Sequence, residues 1–180
     1  YFATNTVSLA FEEEECLVLI IDENISHAAG LLPILQLAMA QGSPLLIFAK
    51  SFEGEVLSTL TMNHSQGLLK VCPIPIPSAN SQQREYFEDI AIATGASVIS
   101  SKKGSTLSTF TGKEFGHLCY VKSDAKHTLL LEGSGAHEEI QKRIKVLQHQ
   151  IDKSNSTSER KEFFQRIAEL NGGLALISVG

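Results

Sequence analysis

Two continuous apolar runs, Cys16 to Asp22 (CLVLIID) and Pro44 to Ala49 (PLLIFA), constrain the fold of this 180-residue chain more than any other feature. Runs without polar alternation belong to strands covered on both faces, the usual state of a parallel sheet with helices packed against it. The segment between them, Asn24 to Gly42, reads as a helix, so the three make a βαβ unit. Asn24 or Ser26 can cap that helix, Pro33 falls in its second turn, and Gly42 is the glycine expected just past a helix end.

This helix carries more apolar surface than docking requires. At 100° per residue, Leu37, Ile34, Ala38, Leu31, Leu35, Met39 and Leu32 spread over roughly 220°, whereas about 100° suffices for a surface helix. Either it is buried nearly all round, or Leu32 and Leu35 on one flank are left for a partner. The next segment, Ser43 to Gly67, runs from a strand through an acidic turn into a shorter helix of the same character. Val56, Leu60 and Asn63 share one side, Leu57, Thr61 and His64 a neighbouring one, and Met62 points away from both. Leu57 and Met62 are therefore expected outside the core, and methionine suits a surface that accepts varied partners. Two such helices in succession point to protein binding through exposed apolar side chains.

Further along, Gly67 to Pro73 and Ala96 to Ser100 read as short strands on either side of a helix from Gln82 to Thr94. Gly112 to Val121 and His127 to Glu132 read as a turn and two hairpin-like strands. Ala136 to Asp152 is a long amphipathic helix with Ile140, Ile144, Leu147 and Ile151 on one side. Ser154 to Ser158 break it, and a return helix carrying Phe163, Phe164, Ile167 and Leu170 completes an αα-hairpin. Gly172 and Gly173 end that helix, and Leu174 to Val179 form a last strand. The expected fold is α/β, a β-sheet core flanked by helices with a C-terminal αα-hairpin, in a single domain over residues 1–180.

Apolar residues make up 43% and charged residues 19%, with a net charge of -5. That is a soluble globular composition, and an acidic balance without a basic cluster argues against nucleic acid or an anionic membrane as partner. No apolar run approaches the ~18 residues of a membrane span, and no signal-peptide pattern is present. Cys16, Cys72 and Cys119 are odd in number, widely spaced and set in apolar segments. They read as free thiols in a reducing cytosol, hence a cytoplasmic location. The chain begins with Tyr1, which reads as a domain excised from a longer chain, with a processed secreted protein as the alternative. Glu12 to Glu15, four carboxylates before a strand, read as a solvated turn.

Catalytic chemistry has little support. Gly133 and Gly135 follow a strand and open a helix as a dinucleotide-binding turn would, but Glu138 stands where the third glycine belongs. No strand-end carboxylate follows ~20 residues on. In GSTLSTFTGKE, Glu114 replaces the hydroxyl that would hold magnesium and Leu107 the first glycine of a phosphate loop. The histidines at 27, 64, 117, 127, 137 and 149 form no i, i+4 pair, so no metal site is expected. A small-molecule enzyme using the Gly133 to Gly135 turn is the rival to a protein-binding domain.

The chain resembles the apical domain of the bacterial-type (group I) 60 kDa chaperonins, the GroEL family, from Tyr1 to Gly180. The matching pieces are YF at Tyr1 and Phe2, ISHAAGLLPILQ from Ile25 and PLLIFAKSFEGEVLSTL from Pro44. EDIAIATGASVIS from Glu88, EEIQKRI from Glu138 and LNGGLALISVG at the end follow in order, and the order is more specific than any one piece. The resemblance implies a two-helix groove, lined by Tyr1, Phe2, Leu32, Leu35, Leu57, Thr61 and Met62, that binds non-native polypeptides and the mobile loop of a co-chaperonin. It implies a homo-oligomeric ring driven by ATP with Mg, whose nucleotide site lies in a separate equatorial domain. This segment would then be no enzyme and hold no cofactor of its own. Gly173 lies where the family's apical domain swings on its neighbour and is a candidate hinge, although a helix C-cap accounts for the same glycine pair. Two departures mark a divergent member. PSANSQQR, Pro77 to Arg84, replaces a glycine-rich basic stretch, and Thr61 and Met62 replace the usual pair of valines. A specialised paralogue without general folding activity is the alternative.

Overall fold

The structure, a computed structural model, describes residues 11–76, 82–124, 127–172 and 174–177, with the backbone alone for 82 and 174–177. Tyr1, Phe2, Gly173 and residues 77–81 of the divergent loop lie outside the described residues. The expected βαβ unit is present twice in succession. β1 (Phe11–Ile25), α1 (Leu32–Gln41), β2 (Leu45–Phe52), α2 (Gly54–Ser65) and β3 (Val71–Pro75) alternate, with the three strands parallel. Leu17 lies opposite Leu45, and Leu45 opposite Val71. After β3 the chain crosses the other face through α3 (Gln82–Thr94) and returns as β4 (Val98–Ile99), parallel to Ile20 and Ile21 of β1. The first half of β1 pairs antiparallel with β5 (Gly116–Ser123), followed by β6 (His127–Gly133) and β7 (Leu174–Ile177). The seven strands run β3-β2-β1-β5-β6-β7, with β4 beside β1.

The absence of alternation in the apolar runs now has its cause. Leu17, Leu19 and Ile21 pack with Leu45 and Ile47 beneath α1 and α2, while Cys16, Val18 and Ile20 pack with Leu46 and Phe48 against α3. Glu12 to Glu15 lie inside β1 rather than in a turn, because β5 pairs with this half of the strand. Glu15 adopts a left-handed φ of 51°, which shifts the side-chain alternation and lets Phe11 join the same cluster as Cys16. α1 starts later than Asn24, since β1 stays paired with β2 as far as Ile25 opposite Phe52, through a one-residue register shift between Ile21 and Asn24. Asn24 accepts a hydrogen bond from the Ser51 hydroxyl (2.9 Å) instead of capping a helix. A 3-10 turn, Ala28–Gly30, intervenes, and Pro33 falls in the first turn of α1. Gly42 closes α1 at φ 68°, as the sequence predicts.

β3 is an edge strand whose prolines have a role. The Ile76 amide donates to the Ala49 carbonyl (2.8 Å), so by alternation the amides of Cys72 and Ile74 also face β2. Of the outward positions, Val71 donates to His64 Nδ1 (3.4 Å), and Pro73 and Pro75 have no N–H. Strand addition at this edge finds no free donor.

Burial pushes the thiols of Cys16 and Cys72 up to about 12, with Glu13 adding to the effect at Cys16. In the folded protein at about pH 8, both should resist a thiol-specific disulfide reagent, and all three cysteines should react once the chain is unfolded. Fast labelling of Cys16 without unfolding would show that β1 opens locally.

The αα-hairpin consists of α4 (His137–Lys153) and α5 (Thr157–Gly172), packed through Ile144, Leu147 and Leu170. Asp89 of α3, buried, ties both helices down. It accepts from Arg143 Nε of α4 (2.8 Å) and from Arg166 Nε (2.6 Å) and Nη2 (3.1 Å) of α5. Arg166 also bonds Glu85 on the same face of α3. Asp89→Ala removes the shared acceptor of two guanidinium groups, leaving buried Arg166 with Glu85 and Arg143 with Glu88 at 3.7 Å, and should cost about 3–5 kcal/mol in urea unfolding. A loss below about 1 kcal/mol would mean that apolar contacts alone dock the hairpin.

Candidate functional site

α1 and α2 lie on one face of the sheet because both bury their apolar stripes on the same cluster. Leu31, Ile34, Leu35 and Ala38 supply it from the first helix and its cap, and Val56 and Leu60 from the second. What remains outside is the candidate site. Leu32 is 46% exposed and Met62 57%, and Met39 and Leu37 are also exposed. Leu35 is only 3% exposed, which corrects the expectation that it stands free beside Leu32. Its place one residue after Ile34 and one turn after Leu31 puts it in the inner stripe, over the covered strands β1 and β2.

The helix period sorts the exposed residues into flanks. Leu32 and Met39 are seven residues, two turns, apart and share one flank of α1. Leu37 falls on the opposite flank, where a Cβ on Gly112 would lie 3.9 Å from its Cδ1. On α2, His64 turns toward the β3 edge, accepting from Val71 and standing 6.2 Å ring to ring from Phe11. Leu57, half-buried, and Thr61, exposed, share that flank. Met62 falls on the other one with Glu55, whose carboxylate is 3.9 Å from His27 Nδ1 in the turn leading to α1. The groove between the helices is thus walled by Leu32 and Met39 on one side and Met62 on the other, with Leu35 beneath. The expected set is split: Leu57 and Thr61 stand on the far side of α2. Met39, which joins Leu32 on this flank, was not among the expected residues, although its i+7 relation to Leu32 carried the signal.

Such a groove is walled by apolar side chains. It can remove apolar side chains of a partner from water, an interaction without strict direction and therefore tolerant of sequence.

The rival turn has another purpose. A Cβ on Gly133 would collide with the Ala93 carbonyl, and one on Gly135 with that of Ile92. The Gly135 amide donates to Ala93 O, and the Ser134 amide to His117 O, both at 3.1 Å. The glycines let the C-terminal carbonyls of α3, the negative end of that helix, press against this turn. A pyrophosphate needs amides and the positive end of a helix in that space. Among the described residues, no group of three His, Cys, Asp or Glu converges as metal ligands, and no helix is long and apolar enough to cross a membrane.

No protein-family model matches the chain. It is 36% identical over all 180 residues to the chaperonin GroEL of Methanoregula boonei (strain DSM 21154 / JCM 14090 / 6A8), and it spans 34% of that protein's length. Among solved structures it is similar to the chaperonin gp146 of bacteriophage EL 2 (Pseudomonas aeruginosa), with a TM-score of 0.66 and 17% identity. That likeness covers 96% of this chain and 35% of the other, and at such identity it speaks for the fold alone.

The two leucines of α1 should respond oppositely to the same change. Leu35→Ser should lower stability by about 2–5 kcal/mol, through a lost core side chain and a buried hydroxyl. Leu32→Ser should change it by less than about 0.5 kcal/mol. Comparable melting temperatures for the two variants would return Leu35 to the exposed flank.

Proposed function

Since this chain is a divergent GroEL-like chaperonin segment, we propose that it is the apical, polypeptide-binding domain of a chaperonin ring and holds non-native chains in the groove between α1 and α2. The observation that carries the reading is the exposure of Leu32, Met39 and Met62 on facing flanks of helices whose inner stripes are already filled. A folded domain has no internal use for them, and an unfolded chain presents the apolar side chains they match. The helices rest on a sheet whose central strands are buried on both faces, so the cost of ordering on binding falls on the client.

The mobile loop of a co-chaperonin would compete for the same groove, and its arrival would displace the client. A single groove binds modestly, and a ring of copies multiplies the hold on one chain through avidity. ATP and Mg act elsewhere in the full-length protein, and a cytoplasmic location belongs to the same reading. Met62, in place of a valine, gives its wall longer reach and more adaptable shape. Thr61 keeps its hydroxyl in water on the outer flank. These departures favour a client range shifted from that of a standard family member.

The test is a titration of labelled apolar peptides into this chain without nucleotide. Met62→Ser and Leu32→Ser should each weaken binding about tenfold, the scale of one partly buried apolar side chain. Thr61→Val should change it by less than about twofold, since the hydroxyl never has to be dehydrated. A folded chain that binds none of a broad peptide panel would end the proposal.

A further inference from the structure

Beyond the end of the groove that Met39 occupies lies an open cleft of about 640 Å³, where β2 and β3 begin. Its apolar part includes Met39 and Leu68, 40% and 53% exposed, and Pro44. Its polar wall is Glu12, Glu13 and Glu14 of β1. Glu13 is paired with Lys70 at 2.7 Å. Glu12 accepts from the Tyr120 hydroxyl (2.5 Å) and faces Lys122 at 3.6 Å, and both hold its carboxyl below the usual range. Glu14 is exposed and its carboxylate has no ion-pair partner among the described residues.

A second source of negative potential reaches the same space. α1 ends at Gly42 and the turn after α2 at Gly67, both at φ 68°, and both glycines line the cleft. The C-terminal ends of two helices, each carrying about half a negative charge, therefore converge beside the carboxylates. Two ammoniums, those of Lys70 and Lys122, do not balance three carboxylates and two helix ends. The site is also at the opposite end of the sheet from the carboxyl ends of β1–β3, where open α/β sheets hold small anionic ligands.

We propose that this cleft takes a lysine or arginine side chain of a bound polypeptide whose apolar residue lies in the α1–α2 groove. The inference rests on the reading of that groove as a polypeptide site, and it adds a preference to it. From Leu32 to Met39 the helix advances about 10 Å, a distance an extended peptide covers in about three residues. The favoured segment therefore carries its cation about three residues from its apolar anchor. Its aliphatic stem covers Met39 and Leu68 while the charged head reaches Glu14.

Three labelled peptides of one apolar sequence, with lysine, glutamine or glutamate three residues from the anchor, separate the possibilities. Titrated into the folded chain at low salt, the lysine peptide should bind about fivefold tighter than the glutamine peptide, and the glutamate peptide weaker still. The preference should vanish in Glu14→Lys and shrink at about 0.5 M salt. Leu68→Ser should weaken all three peptides together. Equal affinities, or a lysine preference that survives Glu14→Lys, would overturn the cleft proposal and leave the groove reading standing. Binding of none of the three would remove both.

Discussion

From Cys16 to Ile21, strand β1 is buried on both faces, so every amide and carbonyl along it must be met by a neighbouring strand. That requirement organises the sheet. One edge of β1 is satisfied by β2 from Leu17 to Ile25. The other is shared between β5, antiparallel up to Val18, and β4, parallel at Ile20 and Ile21. Because β4 is parallel to β1 and lies on the far side of it from β3, a right-handed connection from β3 runs over the opposite face, and α3 is the crossover. The face left to α1 and α2 is then the one that carries the groove.

The hairpin of α4 and α5 depends on a different kind of contact. Asp89 and Arg166 are buried, and desolvating them costs more than their attraction returns unless every hydrogen bond is made. Here the carboxylate receives three donors from two arginines and Glu85 takes a further one, while Arg143 Nη2 is buried without a hydrogen-bond partner among the described residues. Such a cluster tolerates one geometry, so it sets the angle at which the hairpin meets α3. Apolar packing through Leu147 and Leu170 would allow the helices to slide.

Two features limit where a partner can attach. The prolines of β3 and the His64 bond to Val71 remove the donors that an added strand would use. The inner stripes of α1 and α2 are filled, leaving Leu32, Met39 and Met62 as the apolar surface between them. This face therefore presents side chains and not free backbone donors, an arrangement suited to sequence-tolerant contact rather than to β-augmentation. Beyond Met39 this apolar surface gives way to the cleft lined by Glu12, Glu13 and Glu14.

Much of this was legible in the sequence. The two apolar runs demanded strands covered on both faces, α3 spans the Gln82 to Thr94 expected for it, and the hairpin follows the spacing of Ile144, Leu147 and Leu170. The ordered fragments also carried the family. Periodicity says which residues share a side, but it does not say what that side will meet. Leu35 and Leu32 are both apolar flank residues on a wheel, and only the position of the sheet makes one core and the other surface. Gly133 and Gly135 look like a nucleotide turn until α3 is seen resting on them. Asp89 and Arg166, 77 residues apart, give no sign in the sequence that they are partners. The local pattern determined the elements, and the close packing of distant segments decided which of their residues are free to bind.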